Sequence, residues 1–561
     1  MKLQELKEKG LAPEFLTEEG YSTLINGYLL ENETPIGMYK RVAKAAAKQY
    51  NDVNIENKFF NYMWKGWLCP STPVAANMGT NRALPISCFS SYVPDNLYDI
   101  FSTVQEAAMM SKYGGGTSIH LKDLRPAKSA ISKGGTSSGV ISWLKVFDSM
   151  IASTSQGATR RGALASYLPV EHPDIHDFLR VRRPEGDHNR WCPNIHHGVN
   201  ITDNWMQDML SGDIKKREAW AEILKTRFET GEPYLFFIDH AQKGNPKHLN
   251  WYEVKGSNLC SEIFLHTDKD NSLVCCLSSL NLTKYDEWKN TDLVKTSIYF
   301  LDGVMQEFID KAKNIQGLER AVNFATKSRA LGLGVLGWHS LLQLKNLPFD
   351  SFETMMLNAE IFSNMNKQSL EGSKELAKLL GEPAWMEGTG LRNTHRLAIA
   401  PTVSNSTISG NVSAGIEPLA ANVYVKKSAK GTFIQYNPIL KAVLQKLSID
   451  NDLIWTKIIK QEGSVFGIKE IPEDVQQTFL TAREINQFAI IKQAGQRQKF
   501  IDQGQSVNLF FASNSDPSYI NKVHLMAWEE GLKSLYYLRS SSSIRADLAS
   551  RGAEECAACE G

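Results

Sequence analysis

Short apolar runs alternate along the chain with long stretches of helical spacing. The runs GEPYLFFI, SLVCCLSSLNL and RLAIAP are rich in β-branched and aromatic residues, which predicts short strands. Residues 203–228 and 352–379 repeat their apolar positions at the helical period. This alternation extends from about residue 66 to residue 540 and is typical of an α/β fold.

Both ends of the chain differ from this central part. Residues 1–65 read as helical, and the stretch TPIGMYKRVAKAAAKQY opens on Thr34-Pro35, a common helix start. Residues 541–561 read SSSIRADLASRGAEECAACEG and contain few large apolar side chains. Because such a segment cannot bury enough apolar surface to order itself, we expect a flexible C-terminal tail.

The composition argues against several classes of partner. The chain has 62 Lys and Arg against 61 Asp and Glu, a net charge of +1, so neither nucleic acid nor an anionic membrane is implied. The N-terminus lacks the apolar region of a signal peptide, and we expect a cytoplasmic protein. In that reducing compartment the 8 cysteines should be free thiols, metal ligands or redox pairs.

The tail carries the pair Cys556 and Cys559, separated by two alanines. Zinc needs four ligands, and no second pair or nearby histidine stands in the tail, so we expect no metal site. A dithiol that opens and closes by exchange needs only two sulfurs and freedom to move. A flexible coil of about 20 residues spans roughly 25 Å, which would let this pair visit a buried site.

Two further stretches hold side chains that can carry radical chemistry. In NLCSE, Cys260 stands two residues from both Asn258 and Glu262, although a lone cysteine near a glutamate usually has no function. Tyr536 and Tyr537 are adjacent, and adjacent tyrosines are usually packing residues. Tyrosine and cysteine are nevertheless the side chains that most readily pass a radical equivalent.

Three polar or glycine-rich stretches leave alternatives open. GLGVLG, residues 332–337, matches a dinucleotide fingerprint but follows a poor strand, so close backbone packing is the favoured interpretation. The glycines of KYGGGTS either form a turn or let a ligand approach bare backbone. APTVSNSTISGN, residues 400–411, is either a hydroxyl-rich loop or a phosphate site built from backbone N–H groups.

The order of these motifs resembles the large catalytic subunit of class I ribonucleotide reductases, from about residue 60 to residue 561. The stretches that carry the resemblance are STPVAANMGTNRALPISCFSS, SKYGGGTSIHLKDLRP, SQGATRRGALASYLPVEHPDI, GSNLCSEI, LVCCLSSLNL, IAPTVSNST, GLKSLYYLRS and ECAAC. The resemblance implies a ten-stranded α/β barrel over residues 66–540, with a central finger loop that carries the catalytic cysteine. It also implies a ribonucleoside-diphosphate reductase that makes 2′-deoxyribonucleotides for DNA synthesis.

In such enzymes the cysteine matching Cys260 becomes a thiyl radical that removes the 3′ hydrogen of the ribonucleotide. Glu262 would accept the proton of the 3′-hydroxyl, and Asn258 would orient the sugar. By resemblance, Cys88 and Cys275 close into a disulfide as the 2′-hydroxyl leaves. Cys276 departs from the family pattern, and since adjacent strand residues face opposite sides, only one of the two can face the substrate.

The resemblance also implies the redox partners. Cys556 and Cys559 would reduce the disulfide and then be reduced by thioredoxin or glutaredoxin. The radical would arrive from a separate small subunit, expected to hold two metal ions, through Tyr537, then Tyr536, then Cys260. No cofactor or metal is expected on this chain, and the tyrosine pair argues against the cobalamin-dependent relatives.

Ligand contacts are carried over in the same way. For the ribonucleoside diphosphate they are Thr72, Ser87, Gly115, Gly116, Pro401, Thr402, Ser404 and Asn405. For a nucleoside triphosphate effector at a homodimer surface they are Asp95, Lys112, Arg125 and Arg160, with residues 157–162 as a loop that relays base identity. The chain begins too close to the barrel for the N-terminal ATP-binding domain of many relatives, so we expect none.

Two alternatives stay open. A cobalamin-dependent reductase would perform the same reaction without a second subunit. A non-enzymatic protein would instead use its cysteines for structural zinc and its glycine loops to sense nucleotides.

Overall fold

The computed structural model describes residues 2–540, except 133, 157–159, 184–189 and 429–430. The α-helices of this part are α1 (Leu3–Glu8), α2 (Glu18–Ile25), α3 (Pro35–Ala47), α4 (Val53–Trp64), α5 (Thr72–Asn77), α6 (Leu97–Lys112), α7 (Val140–Ser153), α8 (Ile175–Phe178), α9 (Asp203–Ser211), α10 (Ile214–Thr230), α11 (Ile238–Gln242), α12 (Tyr285–Trp288), α13 (Leu293–Ala312), α14 (Glu319–Ser328), α15 (Trp338–Leu344), α16 (Phe352–Leu380), α17 (Val403–Ile408), α18 (Pro438–Lys446), α19 (Asp452–Lys460), α20 (Glu473–Thr478), α21 (Gln487–Gln498) and α22 (Pro517–Glu529). The strands are β1 (Leu68–Pro70), β2 (Cys88–Tyr92), β3 (Gly116–His120), β4 (Ser155–Gln156), β5 (Arg160–Arg161), β6 (Leu164–Pro169), β7 (Ile195–Ile201), β8 (Tyr234–Phe237), β9 (Leu273–Cys275), β10 (Leu277–Asn281), β11 (Gly332–Leu336), β12 (Val423–Ser428), β13 (Gly431–Tyr436), β14 (Leu509–Phe510), β15 (Ser534–Leu535) and β16 (Leu538–Arg539).

Helices α1 to α4 form the N-terminal region. Thr34 caps α3 by accepting from the backbone N–H of Gly37, and Pro35 occupies the first turn, as the Thr-Pro signal predicts. The region is fixed to the rest of the molecule through α13. The Tyr50 hydroxyl donates to the carbonyl of Tyr299, and the Gln49 amide donates to Asp302.

The first half of the barrel is a set of five parallel strands. Their order is β8, β7, β6, β3 and β2, and each neighbouring pair is parallel. All of β6, apart from Pro169, and all of β7 are buried, as expected for parallel strands that are covered on both faces. This sheet places the ends of several strands around one interior.

The second half repeats this arrangement with shorter strands. β9 and β10 form one line interrupted at Cys276, and β10 pairs with β11 in parallel. Isolated parallel bridges continue the set, from Leu333 to Leu397 and from Ile399 to Gln505. β14 then pairs with β16 in parallel. The two halves meet in antiparallel pairs at β2 with β9 and at β8 with β15, which closes the barrel and confirms the predicted ten-stranded fold.

The helical predictions hold with one change. The pattern over 352–379 is a single helix, α16. The pattern over 203–228 divides into α9 and α10, because Gly212 adopts the left-handed conformation with φ of 114° and Asp213 caps the next helix. The helical spacing of apolar residues continues on both sides of Gly212, so this spacing alone does not show that one helix ends there and another begins.

GLGVLG lies in β11 and the turn that follows it. A Cβ on Gly334 would stand 2.4 Å from the carbonyl oxygen of Ala398, and one on Gly332 would stand 2.4 Å from the Leu277 side chain. These glycines therefore permit close packing of barrel strands, which confirms the packing interpretation of GLGVLG.

A second, smaller core is formed within the chain segment between Ile399 and Gln505, which are the two partners of one isolated bridge. It packs residues of α18, α19 and α20, among them Leu440, Trp455 and Val475, away from the main core. Among the described residues no helix is both long enough and apolar enough to span a lipid bilayer.

Candidate active site

A finger loop inside the barrel carries Cys260. Val254 and His266 form an antiparallel bridge at its base, and a turn at Leu259–Cys260 forms its tip. The Asn258 side chain holds this turn, because its Oδ1 accepts from the backbone N–H groups of Glu262 at 3.0 Å and Ile263 at 3.1 Å. Ser261 has a φ of 65°, an uncommon conformation for serine. The sequence NLCSE is thus a hydrogen-bonded turn.

The loop brings Cys260 against two other thiols. Cys88 on β2 and Cys275 on β9 are register partners across the antiparallel seam. Cys88 is hydrogen-bonded to both Cys260 and Cys275, and these contacts lower the pKa of Cys88. Burial, followed by the neighbouring Cys88, raises the pKa of Cys275 well above its usual value. All three are reduced thiols and at most 4% exposed.

Cys276 points to the other side of its strand. Its thiol donates to the carbonyl of Leu301 in α13 at 3.4 Å, and burial raises its pKa. Cys275 therefore is the member of this adjacent pair that faces Cys88, in agreement with the alternation of side chains along a strand.

Glu262 is fully buried beside the thiols. Its Oε2 accepts from the Ser506 hydroxyl at 3.2 Å, and the same hydroxyl donates to the carbonyl of Cys260 at 2.6 Å. Burial, followed by the nearby Cys88, raises the pKa of Glu262 well above 4.5. Within the described residues, Oε1 of Glu262 and Nδ2 of Asn258 have no hydrogen-bond partner. Both atoms can therefore bind a polar ligand that enters the barrel.

Tyr536 and Tyr537 lie between β15 and β16, with ring centroids 4.3 Å apart and planes at 49°. Both are buried, and Tyr234 packs against them at 4.8 and 5.1 Å. The backbone N–H of Tyr536 donates to the carbonyl of Val507 at 2.8 Å, next to the Ser506 that holds Cys260. The tyrosine pair is thereby connected to the finger loop through one neighbouring strand.

Gly115 and Gly116 have close neighbours that account for the absence of side chains. A Cβ on Gly115 would stand 2.4 Å from Phe89, and one on Gly116 would stand 2.6 Å from Leu259 at the finger tip. Close packing therefore requires glycine at both positions. A contact with a ligand would be a second role for these glycines. Ser87 precedes β2, and its carbonyl accepts from Gly116 at 2.8 Å.

Thr72 begins α5, and its hydroxyl lies 2.7 Å from the hydroxyl of Tyr28 in the N-terminal region. Pro401 and Thr402 precede α17, where Thr402 has a φ of 53° and its Oγ1 accepts from the backbone N–H of Gly415 at 2.8 Å. Ser404 and Asn405 belong to the first turn of this helix. The predicted phosphate contacts therefore fall on the residues that open α17, and phosphate binding there stays a prediction.

The residues predicted to bind an effector separate into two places. Arg125 Nε donates at 2.6 Å to Oδ2 of Asp95, which lies just before the start of α6. Lys112 ends α6, and a helix of 16 residues is about 24 Å long, so within one chain Lys112 is remote from that pair. The side chain of Arg160, residues 157–159 and the tail thiols Cys556 and Cys559 lie outside the described residues.

Sequence reasoning missed a buried charged cluster beside Tyr537. Its members are Arg182, His196, His197 and Glu232. The signal was the pair of adjacent histidines in the strand-like run IHHGVNI. In the described part of the chain, no group of three or more His, Cys, Asp or Glu side chains is arranged to hold a metal ion.

Comparison with known proteins places these observations in a family. A model described as the ribonucleotide reductase barrel domain matches residues 86–213, 207–389 and 383–538, and one described as the all-alpha domain matches 14–83. A ribonucleoside-diphosphate reductase large subunit of Invertebrate iridescent virus 6 is 44% identical, over 94% of this chain and 92% of the relative. One from Invertebrate iridescent virus 3 is 33% identical, over 94% of each chain. The class Id ribonucleotide reductase alpha subunit of Actinobacillus ureae superposes with a TM-score of 0.88 at 42% identity, over 95% of this chain and 99% of that one.

Proposed function

The chain belongs to the family of ribonucleotide reductase large subunits, and from that premise we propose that it reduces ribonucleoside diphosphates to 2′-deoxyribonucleotides. The observation that carries this proposal is the meeting of the Cys88, Cys260 and Cys275 thiols inside a closed barrel, beside the buried Glu262. One thiol can act as the radical carrier while the other two supply the reducing electrons. The barrel interior excludes water, which would otherwise quench or divert radical intermediates.

The first chemical step uses Cys260. Its thiyl radical takes the 3′ hydrogen atom of the ribose, so a C–H bond breaks, an S–H bond forms and the unpaired electron moves to the sugar. Glu262 takes the proton of the 3′-hydroxyl, and its raised pKa makes the ionised carboxylate a stronger base for that proton. Nδ2 of Asn258, which lacks a partner among the described residues, would bind a sugar oxygen.

The second step uses Cys88 and Cys275. The 2′-hydroxyl leaves as water, and the two thiols together provide two electrons and two protons as their sulfurs join in a disulfide. The register pairing supports this, because partners across an antiparallel ladder have Cα atoms about 4.5 to 5.5 Å apart, within the range that a disulfide spans. One of these two protons leaves with the 2′-hydroxyl as water, and the other hydrogen is added to C2′. Glu262 then gives its proton back to the 3′ oxygen, and Cys260 returns its hydrogen atom to C3′ and becomes a thiyl radical again.

The radical is proposed to enter from a separate small subunit through Tyr537 and Tyr536. A groove of about 610 Å³ between α10 and α22 supports this assignment. It is lined mainly by apolar side chains such as Trp220, Leu224 and Ile520, and α22 leads into the segment that holds both tyrosines. An apolar segment of the small subunit bound there would place that partner next to the tyrosine pair.

Repeated turnover requires reduction of the Cys88–Cys275 disulfide. We assign this to Cys556 and Cys559 of the tail, which would exchange with the disulfide and then with thioredoxin or glutaredoxin. The buried position of the disulfide pair supports an internal carrier, because a folded reductant could not reach sulfurs inside the barrel.

A homodimer with a nucleotide effector at its interface is proposed at α6. Leu97, Tyr98 and Phe101 of this helix are 63%, 82% and 50% exposed, which is unusual for large apolar side chains on one turn. Antiparallel packing of two α6 helices would cover these side chains. It would also bring the Lys112 end of one copy near the Asp95–Arg125 pair of the other.

The test combines the purified chain with candidate small subunits, cytidine diphosphate, an effector and dithiothreitol, and measures deoxycytidine diphosphate. Formation that requires both subunits and is abolished by Cys260→Ser supports the proposal. A matched variant, Cys192→Ser, changes a buried thiol in the loop before β7 and should retain activity. Turnover with adenosylcobalamin and no second subunit, or full activity of Cys260→Ser, would overturn it.

A further inference from the structure

Four buried ionisable side chains lie beside the tyrosine pair and have no part in the steps above. Arg182, His196, His197 and Glu232 are each at most 8% exposed. The histidines belong to β7, Arg182 follows α8 and Glu232 precedes β8. Three separate segments therefore meet at the carboxylate of Glu232 inside the protein. Burying these charged groups costs free energy unless each charge is paired.

Glu232 is the centre of this cluster. Its Oε1 lies 2.7 Å from Arg182 Nη1 and 2.6 Å from His196 Nδ1, and its Oε2 accepts from the backbone N–H of His197 at 3.1 Å. His197 Nδ1 is also 3.1 Å from Oε2. Burial opposes ionisation, but Arg182 and the histidines outweigh it and hold the pKa of Glu232 well below 4.5. His197 carries a hydrogen on the Nδ1 that faces Oε2. Arg182 Nη1, which can only donate, lies 2.8 Å from Nδ1 of His196, so this nitrogen is an acceptor and neutral His196 carries its hydrogen on Nε2.

Only one of the two histidines touches the tyrosine pair. His196 Nδ1 lies 3.4 Å from the Tyr537 hydroxyl, with the two rings edge to face. His197 instead packs edge to face against Phe178. Further polar or charged groups here are Tyr234, stacked on His196, Arg539, over the Tyr537 ring, and Arg182, whose Nη1 is 2.8 Å from His196 Nδ1. Arg227 is buried beside them, where its Nη1 donates to the carbonyl of Tyr536 at 3.1 Å and its charge interacts with Glu232. The hydroxyl of Tyr537 therefore lies next to the 2.6 Å contact between His196 and Glu232.

We propose that His196 exchanges the phenolic proton of Tyr537 when that tyrosine is oxidised, with Glu232 as its positioning residue. The inference rests on the proposed function, because the electron must leave Tyr537 for the oxidised radical carrier of the small subunit. The phenolic O–H bond then breaks. Nδ1 of His196 takes the phenolic proton, and the imidazolium that forms pairs with the Glu232 carboxylate across the 2.6 Å contact. The steps reverse when Tyr537 recovers an electron from Tyr536.

The test compares two neighbouring variants in the assay with the small subunit. Asparagine places an amide N–H near the position of Nδ1 but cannot titrate, so His196→Asn keeps a hydrogen-bonding group beside Glu232 and loses the proton acceptor. We expect kcat to fall on the order of 10²-fold and the acid limb of its pH profile to disappear. His197→Asn alters the same cluster without touching Tyr537 and should keep the wild-type shape of the profile. Glu232→Gln removes the anion beside His196, so the acid limb should move to lower pH.

A second readout covers the case in which a variant folds poorly. A radical trapped on 3-aminotyrosine at position 537 should couple to an exchangeable hydrogen of His196, and His196→Leu should abolish that coupling. Equal pH profiles for His196→Asn and His197→Asn, or an unchanged coupling in His196→Leu, would overturn the inference. If instead the wild-type chain makes no deoxynucleotide with any small subunit, the proposed function itself fails.

Discussion

The hydroxyl groups of Tyr28 and Thr72 lie 2.7 Å apart in the buried interface between the N-terminal helices and the barrel. Arg41, from the same N-terminal region, donates to the carbonyls of Met78 and Ala75 near the other end of α5. The N-terminal region thus holds α5 at both ends. Since Thr72 is a proposed substrate contact, this region helps to build the substrate site rather than only covering the barrel.

Tyr28→Phe should weaken substrate binding while leaving the chemical step intact. The substitution keeps the ring but removes the hydrogen bond that orients the Thr72 hydroxyl, a loss of about 1 kcal/mol. We expect KM for the diphosphate to rise about fivefold with kcat nearly unchanged, as measured by steady-state kinetics. Tyr39→Phe is the matched control, because Tyr39 is an equally buried tyrosine of the N-terminal region. An equal rise in KM for both variants would contradict the assignment.

Cys275→Ser and Cys276→Ser should separate two adjacent buried thiols. Cys275 faces Cys88, whereas Cys276 donates to Leu301 on the other side of the strand. Cys275→Ser should therefore abolish deoxynucleotide formation even with dithiothreitol, because the second reducing thiol is missing. Cys276→Ser should keep turnover and lose only some stability. Thiol titration after one turnover checks which cysteines have formed the disulfide. If only Cys276→Ser lost activity, Cys276 rather than Cys275 would be the reducing partner of Cys88.

Glu262→Gln should be inactive yet more stable than the wild type at neutral pH. Glutamine cannot accept the 3′-hydroxyl proton, so kcat should fall by about 10² to 10⁴. The pKa of Glu262 in the folded protein lies above 4.5, so its stabilising contribution is complete below the unfolded value and is lost as pH rises through the folded value. Urea unfolding at several pH values should show that the free energy of unfolding of the variant increases relative to that of the wild type as pH rises. A constant difference would argue against the raised pKa.

The central fold could be predicted from motif order because barrel strands and turns impose local residue requirements. Gly332 and Gly334 are needed where strands approach closely, and Thr34 is needed to cap α3. The cluster around Glu232 could not be predicted, since Arg182, His196 and Glu232 are distant in sequence and meet only when β7 and β8 pair. Tyr28 was missed for the same reason, because its partner Thr72 is 44 residues away.

Asp302→Asn should strongly destabilise the fold. Asp302 is fully buried in α13, where it pairs with Arg329 at 2.7 Å and Arg392 at 2.9 Å. Burial opposes its ionisation, but the two arginines outweigh it and hold the pKa below 3.8, so its stabilising contribution is complete above about pH 4 and is lost as pH falls through the folded value.

Removing that charge would leave two buried guanidinium groups with no anion between them, at a cost of about 3 to 5 kcal/mol. Asp292→Asn is the matched control, because Asp292 also joins α13 to the N-terminal helices, through Lys58 and Tyr62, but at a partly exposed site. Its loss should cost no more than about 1 kcal/mol. Urea unfolding at pH 7 measures both variants. Similar losses for the two would mean that Asp302 is not the anion that balances Arg329 and Arg392, since only an uncompensated buried charge accounts for the larger value.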